Sequence, residues 1–170
     1  MHRLKEFRTA GKLHRAFLFL LLTSGAAFLY AMVAGADDKK AADPWSASQV
    51  LQPADLAREL ADTKKPTPPT IVYVGFRTLF LGGHIPGATF HGTASTEQGL
   101  AEFKQWAAAL PRSTNLVIYC GCCPFDRCPN IRPAYTTLHE MGFMHLRVLV
   151  LPQNFAADWV EKGYPVQKGM

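Results

Sequence analysis

Polar and apolar positions are sharply separated along this chain. Met1 to Arg15 mixes basic and apolar residues, and Ala16 to Val33 follows without a single charge. Beyond a polar stretch come short apolar runs, each bounded by Pro, Gly or polar residues. Gln49-Val50-Leu51, Thr70 to Val74, Thr89 to His91, Leu116 to Tyr119 and Leu146 to Leu151 predict strands. Between them, apolar residues recur at threes and fours. Pro53 to Leu60, with Leu56 and Leu60 four apart, predicts a helix with its Pro in the first turn. Ser95 is placed to cap a helix carrying Leu100, Phe103, Trp106, Ala107 and Leu110. Ile131, Ala134, Tyr135, Leu138 and Met141 predict a further helix, stopped by Gly142. Asn154 is placed to cap a last one, Phe155 to Lys162, with Trp159 facing inward. Short apolar strands alternating with helices predict an α/β fold with a parallel sheet.

The first 36 residues read as a leader. Their basic start, apolar middle and Ala34-Gly35-Ala36 predict a secretory signal peptide over 1–36, or an N-terminal membrane anchor whose span is residues 16–34. Either way the rest is exported, to the periplasm or beyond the cell, or held at the inner membrane by this segment. Residues 37–47 read as a polar tether and 48–170 as the folded domain. The net charge of +5 changes meaning once divided. The leader holds five basic residues and one acid, and the remainder 13 basic against 12 acidic. A nearly neutral domain implies no nucleic-acid face.

All four cysteines fall in Cys120-Gly121-Cys122-Cys123-Pro124-Phe125-Asp126-Arg127-Cys128. Cys120 ends an apolar strand, and the loop leads into a helix N-terminus. Loop amides and the helix dipole suit an anionic thiolate there. Cys122, Cys123 and Cys128 have three readings. They relay or resolve sulfur chemistry begun at Cys120, they form a disulfide that holds the loop, or they join Cys120 around a soft metal. The spacing is not a usual zinc pattern, and adjacent Cys122 and Cys123 point at one ion with difficulty, so metal ranks third. Arg127 and Arg132 flank the loop and are candidates to bind an anionic substrate.

Three stretches then carry a family resemblance. Gly83-His84-Ile85-Pro86-Gly87-Ala88, the strand Val117-Ile118-Tyr119-Cys120, and the closing run from Leu138 through Trp159 to Val166 resemble the rhodanese-like domain over roughly Val50 to Val166. The resemblance implies a five-stranded parallel sheet with helices on both faces and no cofactor. It implies a sulfurtransferase or sulfur carrier in which Cys120 takes sulfane sulfur from a small donor such as thiosulfate. The persulfide then passes to a thiol acceptor or another nucleophile. His84, within this motif, resembles a structural turn histidine. Departures are specific. Tyr73-Val74-Gly75 stands where the family has Asp-x-Arg, with Arg77 close by, and the active loop is about five residues longer. Gln153-Asn154 replaces a Gly pair. The H-C-x5-R of phosphatases sharing this architecture is missing, since Tyr119 precedes Cys120 and no cysteine has an arginine at that spacing.

Overall fold

In the computed structural model, which describes residues 42–64 and 67–170, the apolar runs assemble into one parallel sheet. Its strands are β1 (Val50–Leu51), β2 (Thr70–Tyr73), β3 (Thr89–Phe90), β4 (Asn115–Tyr119) and β5 (His145–Leu149), in the order β1-β5-β4-β2-β3. The central β4 buries Leu116, Val117, Ile118 and Tyr119 completely. A continuous apolar run is what a strand covered on both faces requires. The helices are α1 (Pro53–Ala61), α2 (Arg77–Gly82), α3 (Glu97–Ala108) and α4 (Ile131–Glu140), with a π-helical stretch at Ala156–Val160. On one face Phe103 and Ala107 of α3 and Ile131, Ala134 and Leu138 of α4 pack on Val72, Leu116, Ile118 and Val148. On the other, Leu56 of α1, Phe80 of α2 and Trp159 pack on Ile71, Tyr73, Val117, Tyr119 and Leu149. The parallel α/β sheet that the apolar pattern predicts therefore forms, with the five strands and two helical faces that the resemblance implies.

The differences are local and have physical reasons. Thr96, not Ser95, caps α3: its hydroxyl accepts the Gly99 amide at 3.1 Å, while the Ser95 amide is spent on Asn130 Oδ1 at 3.0 Å. The last strand stops at Leu149, shortly before Pro152, which has no N–H to give to a ladder. The last helix shortens to a π-helical stretch. There Asn154 Oδ1 accepts the Ala157 amide and the Asp158 carboxylate accepts those of Gln153 and Asn154. Helix α2 has no counterpart in the sequence expectation, because six residues with only Phe80 buried leave no periodic trace.

The leader 1–36 and residues 37–41 lie outside the described residues, as do Lys65 and Pro66 of the Pro-rich connector. Residues 42–47, read above as tether, pack on the domain instead. Trp45 meets Phe125 and Tyr135 with ring centroids 5.4 Å apart in each case, and Asp43 pairs with Arg132. Among the described residues no helix is long and apolar enough to cross a membrane.

Candidate functional site in the cysteine-rich loop

Strand β4 delivers Cys120 at its carboxyl end, and the chain re-enters regular structure at Ile131. The intervening loop thus stands over the carboxyl edge of a parallel sheet, where such folds hold their ligands. Gly121 is required at the first bend, since a Cβ there would run into Phe155. The bend brings Cys122 back, 3.1 Å from the Cys120 sulfur, and Cys123 follows 3.2 Å from Cys122. Pro124 and a short 3-10 turn, Phe125–Arg127, carry the chain round to Cys128. The sulfurs of Cys120, Cys122 and Cys128 all lie within 4.8 Å of one another. Cys120 and Cys128 are buried, whereas Cys122 and Cys123 are half-buried.

Hydrogen-bond donors converge on this cluster. The backbone N–H groups of Asn130 and Ile131, at the start of α4, favour the anion of Cys128, and that of Cys122 favours the anion of Cys120. Asn130, fully buried, directs its Nδ2 to Cys120 at 3.5 Å and to Cys122 at 3.7 Å. The Cys120 thiol beside it, together with the two helix-start amides, pulls the Cys128 thiol down to about 6 against the opposing effect of burial. The same contact with Cys128, reinforced by burial, pushes the Cys120 thiol up. These are two halves of one effect: the shared contact favours the anion at Cys128 and disfavours it at Cys120. Burial and the neighbouring Cys122 thiol push Cys123 up to about 12.

A cleft of about 780 Å³ adjoins the cluster. Cys122, Cys123, Phe125 and Arg127 line it on one side, Val150, Pro152 and Asn154 on the other. The four expected cysteines therefore divide into a cleft pair and a buried pair. Arg127 also stands at the cleft, its side chain 80% exposed and 4.0 Å from Asp126. Arg132 is placed differently. Its guanidinium holds Asp43 through Nε at 2.9 Å and Nη2 at 2.5 Å, and it lies 5.5 Å from the Trp45 ring centroid. Arg77 turns away to Phe90 and Met170. His84 is buried in its turn, bonded through Nδ1 to the Phe80 carbonyl at 2.8 Å and stacked on the Phe80 ring.

Asn130 belongs to the site, and Tyr73 borders it across Gly75, although neither stands out in the sequence as a ligand. For Asn130 the signal is its position, directly after Cys128-Pro129 and directly before the helical run. Tyr73 is visible beforehand only as a departure from a motif.

No protein-family model and no curated protein sequence matches this chain. Solved structures do resemble it. A crystal structure of a protein from Anabaena sp. superposes with a TM-score of 0.54 at 21% identity, covering 71% of this chain and 93% of that one. The solution structure of the rhodanese-like domain of the same Anabaena protein gives 0.51 at 21%, over 71% and 79%. A protein from Bacillus halodurans gives 0.52 at 18%, over 71% and 77%. The chain has the rhodanese-like fold.

Proposed function

We propose that this rhodanese-fold chain is a sulfur carrier of the sulfurtransferase type. It takes sulfane sulfur from a small anionic donor such as thiosulfate, holds it as a persulfide on Cys120, and gives it to a thiol acceptor. The observation that carries this reading is geometric: the Cys120, Cys122 and Cys128 sulfurs lie within 4.8 Å of one another at the carboxyl end of β4, with the buried Asn130 Nδ2 directed at Cys120. Cys120 passes its proton to the Cys128 thiolate and becomes the nucleophile. The Cys120 thiolate attacks the outer sulfur of thiosulfate; the new S–S bond forms as the old one breaks, and sulfite leaves with the bonding pair. An acceptor thiolate then attacks the outer sulfur of the persulfide, leaving Cys120 as thiolate and the acceptor as persulfide. Cys122, in contact with Cys120 and open to the cleft, is the first such acceptor and relays the sulfur outward to the external thiol. Arg127 at the cleft balances the donor's charge. The pattern of residues 1–36 supports work outside the cytoplasm, and the N-terminal sequence of the mature protein tests cleavage.

Intact mass after exposure of the reduced, metal-free protein to thiosulfate tests the function. The reading requires a gain of one sulfur, reversed by reductant, mapped to Cys120 and lost in Cys120→Ser. No gain, or an unchanged gain in Cys120→Ser, overturns it.

One observation favours a second reading. Three sulfurs within 4.8 Å of one another are also a soft-cation site made of Cys120, Cys122 and Cys128, with Cys123 outside it. Stoichiometric metal in protein purified under reductant, lost on substitution of any of the three, selects this reading over the first.

A further inference from the structure

Among the described residues, two buried side-chain polar atoms lack a hydrogen-bond partner: Tyr73 Oη and His91 Nε2. The His91 ring is stacked on Trp106. Tyr73 is different because of what it faces. It is 2% exposed, at the end of β2, with its ring edge-on to Tyr119 at 5.2 Å and tilted against Phe80 at 5.7 Å. Tyr119, buried in the same cluster, has its hydroxyl satisfied by the Ile85 amide at 3.1 Å. A phenylalanine would fill the ring site of Tyr73 equally well, so the hydroxyl is a cost with no return in the sulfur-free protein.

Its neighbours show where the return lies. A Cβ on Gly75 would stand 2.5 Å from Tyr73 Oη and 2.9 Å from the Cys120 sulfur. The hydroxyl and the thiol thus approach one another across a glycine, from opposite sides of the sheet edge. Burial pushes the Tyr73 hydroxyl up, so it stays protonated and able to donate. The two distances from that Cβ together cap the Oη–Sγ separation, and a sulfur bonded to Cys120, about 2.05 Å beyond Sγ, comes within hydrogen-bond reach of Oη when turned toward Tyr73.

We propose that Tyr73 is a positioning residue whose hydroxyl donates a hydrogen bond to the outer sulfur of the Cys120 persulfide. The inference rests on the reading of Cys120 as the sulfur-bearing atom and adds what holds the cargo. The inner sulfur already receives Asn130 Nδ2 at 3.5 Å. Tyr73 supplies the donor that the outer, anionic sulfur needs in a place closed to water. In the empty protein the hydroxyl has no acceptor, and loading provides one. The hydrogen bond changes no bonding in the transfer itself and lowers the energy of the loaded state.

The test uses full-length wild type and Tyr73→Phe, each reduced and then loaded with thiosulfate. Two quantities are followed: persulfide decay by intact mass in the presence of a small thiol, and the unfolding midpoint of the empty and loaded forms. A purely structural role for Tyr73 would shift the two midpoints equally. The proposal requires that loading raise the wild-type midpoint by more than that of the variant, and that the variant lose its persulfide about tenfold faster, the loss of one hydrogen bond to a charged atom. Equal lifetimes and equal midpoint gains overturn the role of Tyr73 while leaving the carrier intact. A wild type that takes up no sulfur removes the carrier reading and this inference with it.

Discussion

Asn130 accepts the Ser95 amide at 3.0 Å through Oδ1, and this bond turns its Nδ2 onto the sulfurs of Cys120 and Cys122. One fully buried side chain therefore ties the start of α3 to the cysteine loop and supplies a donor to the reacting atoms. Asn130→Asp keeps the acceptor for Ser95 but sets a carboxylate against the thiolate. Repulsion raises the thiols and opposes the second charge that a donor brings. Thiosulfate loading at pH 7.5, measured by mass, is expected to slow by at least about tenfold, roughly 1.4 kcal/mol in the barrier. Asn130→Ala should instead cost about 1–3 kcal/mol of stability, because the Ser95 amide loses its partner. Loading of the Asp variant at the wild-type rate would remove Asn130 from the site.

The charge on Cys128 makes stability depend on pH. Its thiol titrates near 6 when folded and near the ordinary 9 when unfolded. Between those values the unfolded chain binds the proton and the folded one does not. The Cys128 contribution thus rises with pH across the window and is lost as pH falls through 6, while above about 9 the raised Cys120 and Cys123 thiols act in the opposite direction. His91, held below its ordinary value by burial, acts in the same direction only at lower pH. Denaturant unfolding of reduced protein is expected to show greater stability at pH 8 than at pH 7. The rise should vanish in Cys128→Ser. The same slope in that variant would place the charge elsewhere.

Legibility in the sequence followed the strength of local signals. Strand β4 is readable because both its faces are covered, so Leu116 to Tyr119 form an unbroken apolar run. Helix α4 is readable because Ile131, Ala134, Tyr135 and Leu138 all turn to the core. Helix α2 is not, since one buried residue in six makes no period. The cysteines announce a site by density alone. Which sulfur the anion favours depends on the Cys120 thiol beside Cys128 and on the amides of Asn130 and Ile131, and these are brought together by the loop's return path, which spacing does not encode. The unpartnered hydroxyl of Tyr73 is likewise a property of three dimensions. Residues 42–47 read as tether from polarity, and only Trp45 hinted that they pack.

Arg127 and Arg132 separate experimentally. Arg132 is engaged with Asp43, each side chain about one-third exposed, at 28% and 33%. A pair so placed contributes at most about 1 kcal/mol. Arg132→Ala should therefore lower stability by about that amount and leave the half-saturating thiosulfate concentration unchanged. Arg127 is mostly solvated at the cleft, so Arg127→Ala should leave stability unchanged. It should raise half-saturation several-fold, more at low salt than at high, since a charge this exposed is screened. The opposite pattern would make Arg132 the donor's ligand.

Gly75 is the position where packing and chemistry meet. Its carbonyl accepts the Thr93 hydroxyl at 3.1 Å, which fixes the backbone, so an added Cβ cannot escape by moving the chain. It would press on Tyr73 Oη, on Tyr73 Cζ at 2.7 Å and on the Cys120 sulfur. The Tyr73 ring is held in turn by Tyr119 and Phe80 and has nowhere to swing. Gly75→Ala should cost about 1–3 kcal/mol through overpacking and abolish sulfur loading. Tyr73→Phe removes the closest of these contacts, so in the double variant the two effects on stability should fall short of their sum by about 0.5 kcal/mol or more. Unfolding measurements on the four members of this cycle decide the matter. Strict additivity would mean that the glycine does not hold the hydroxyl and the sulfur in one space.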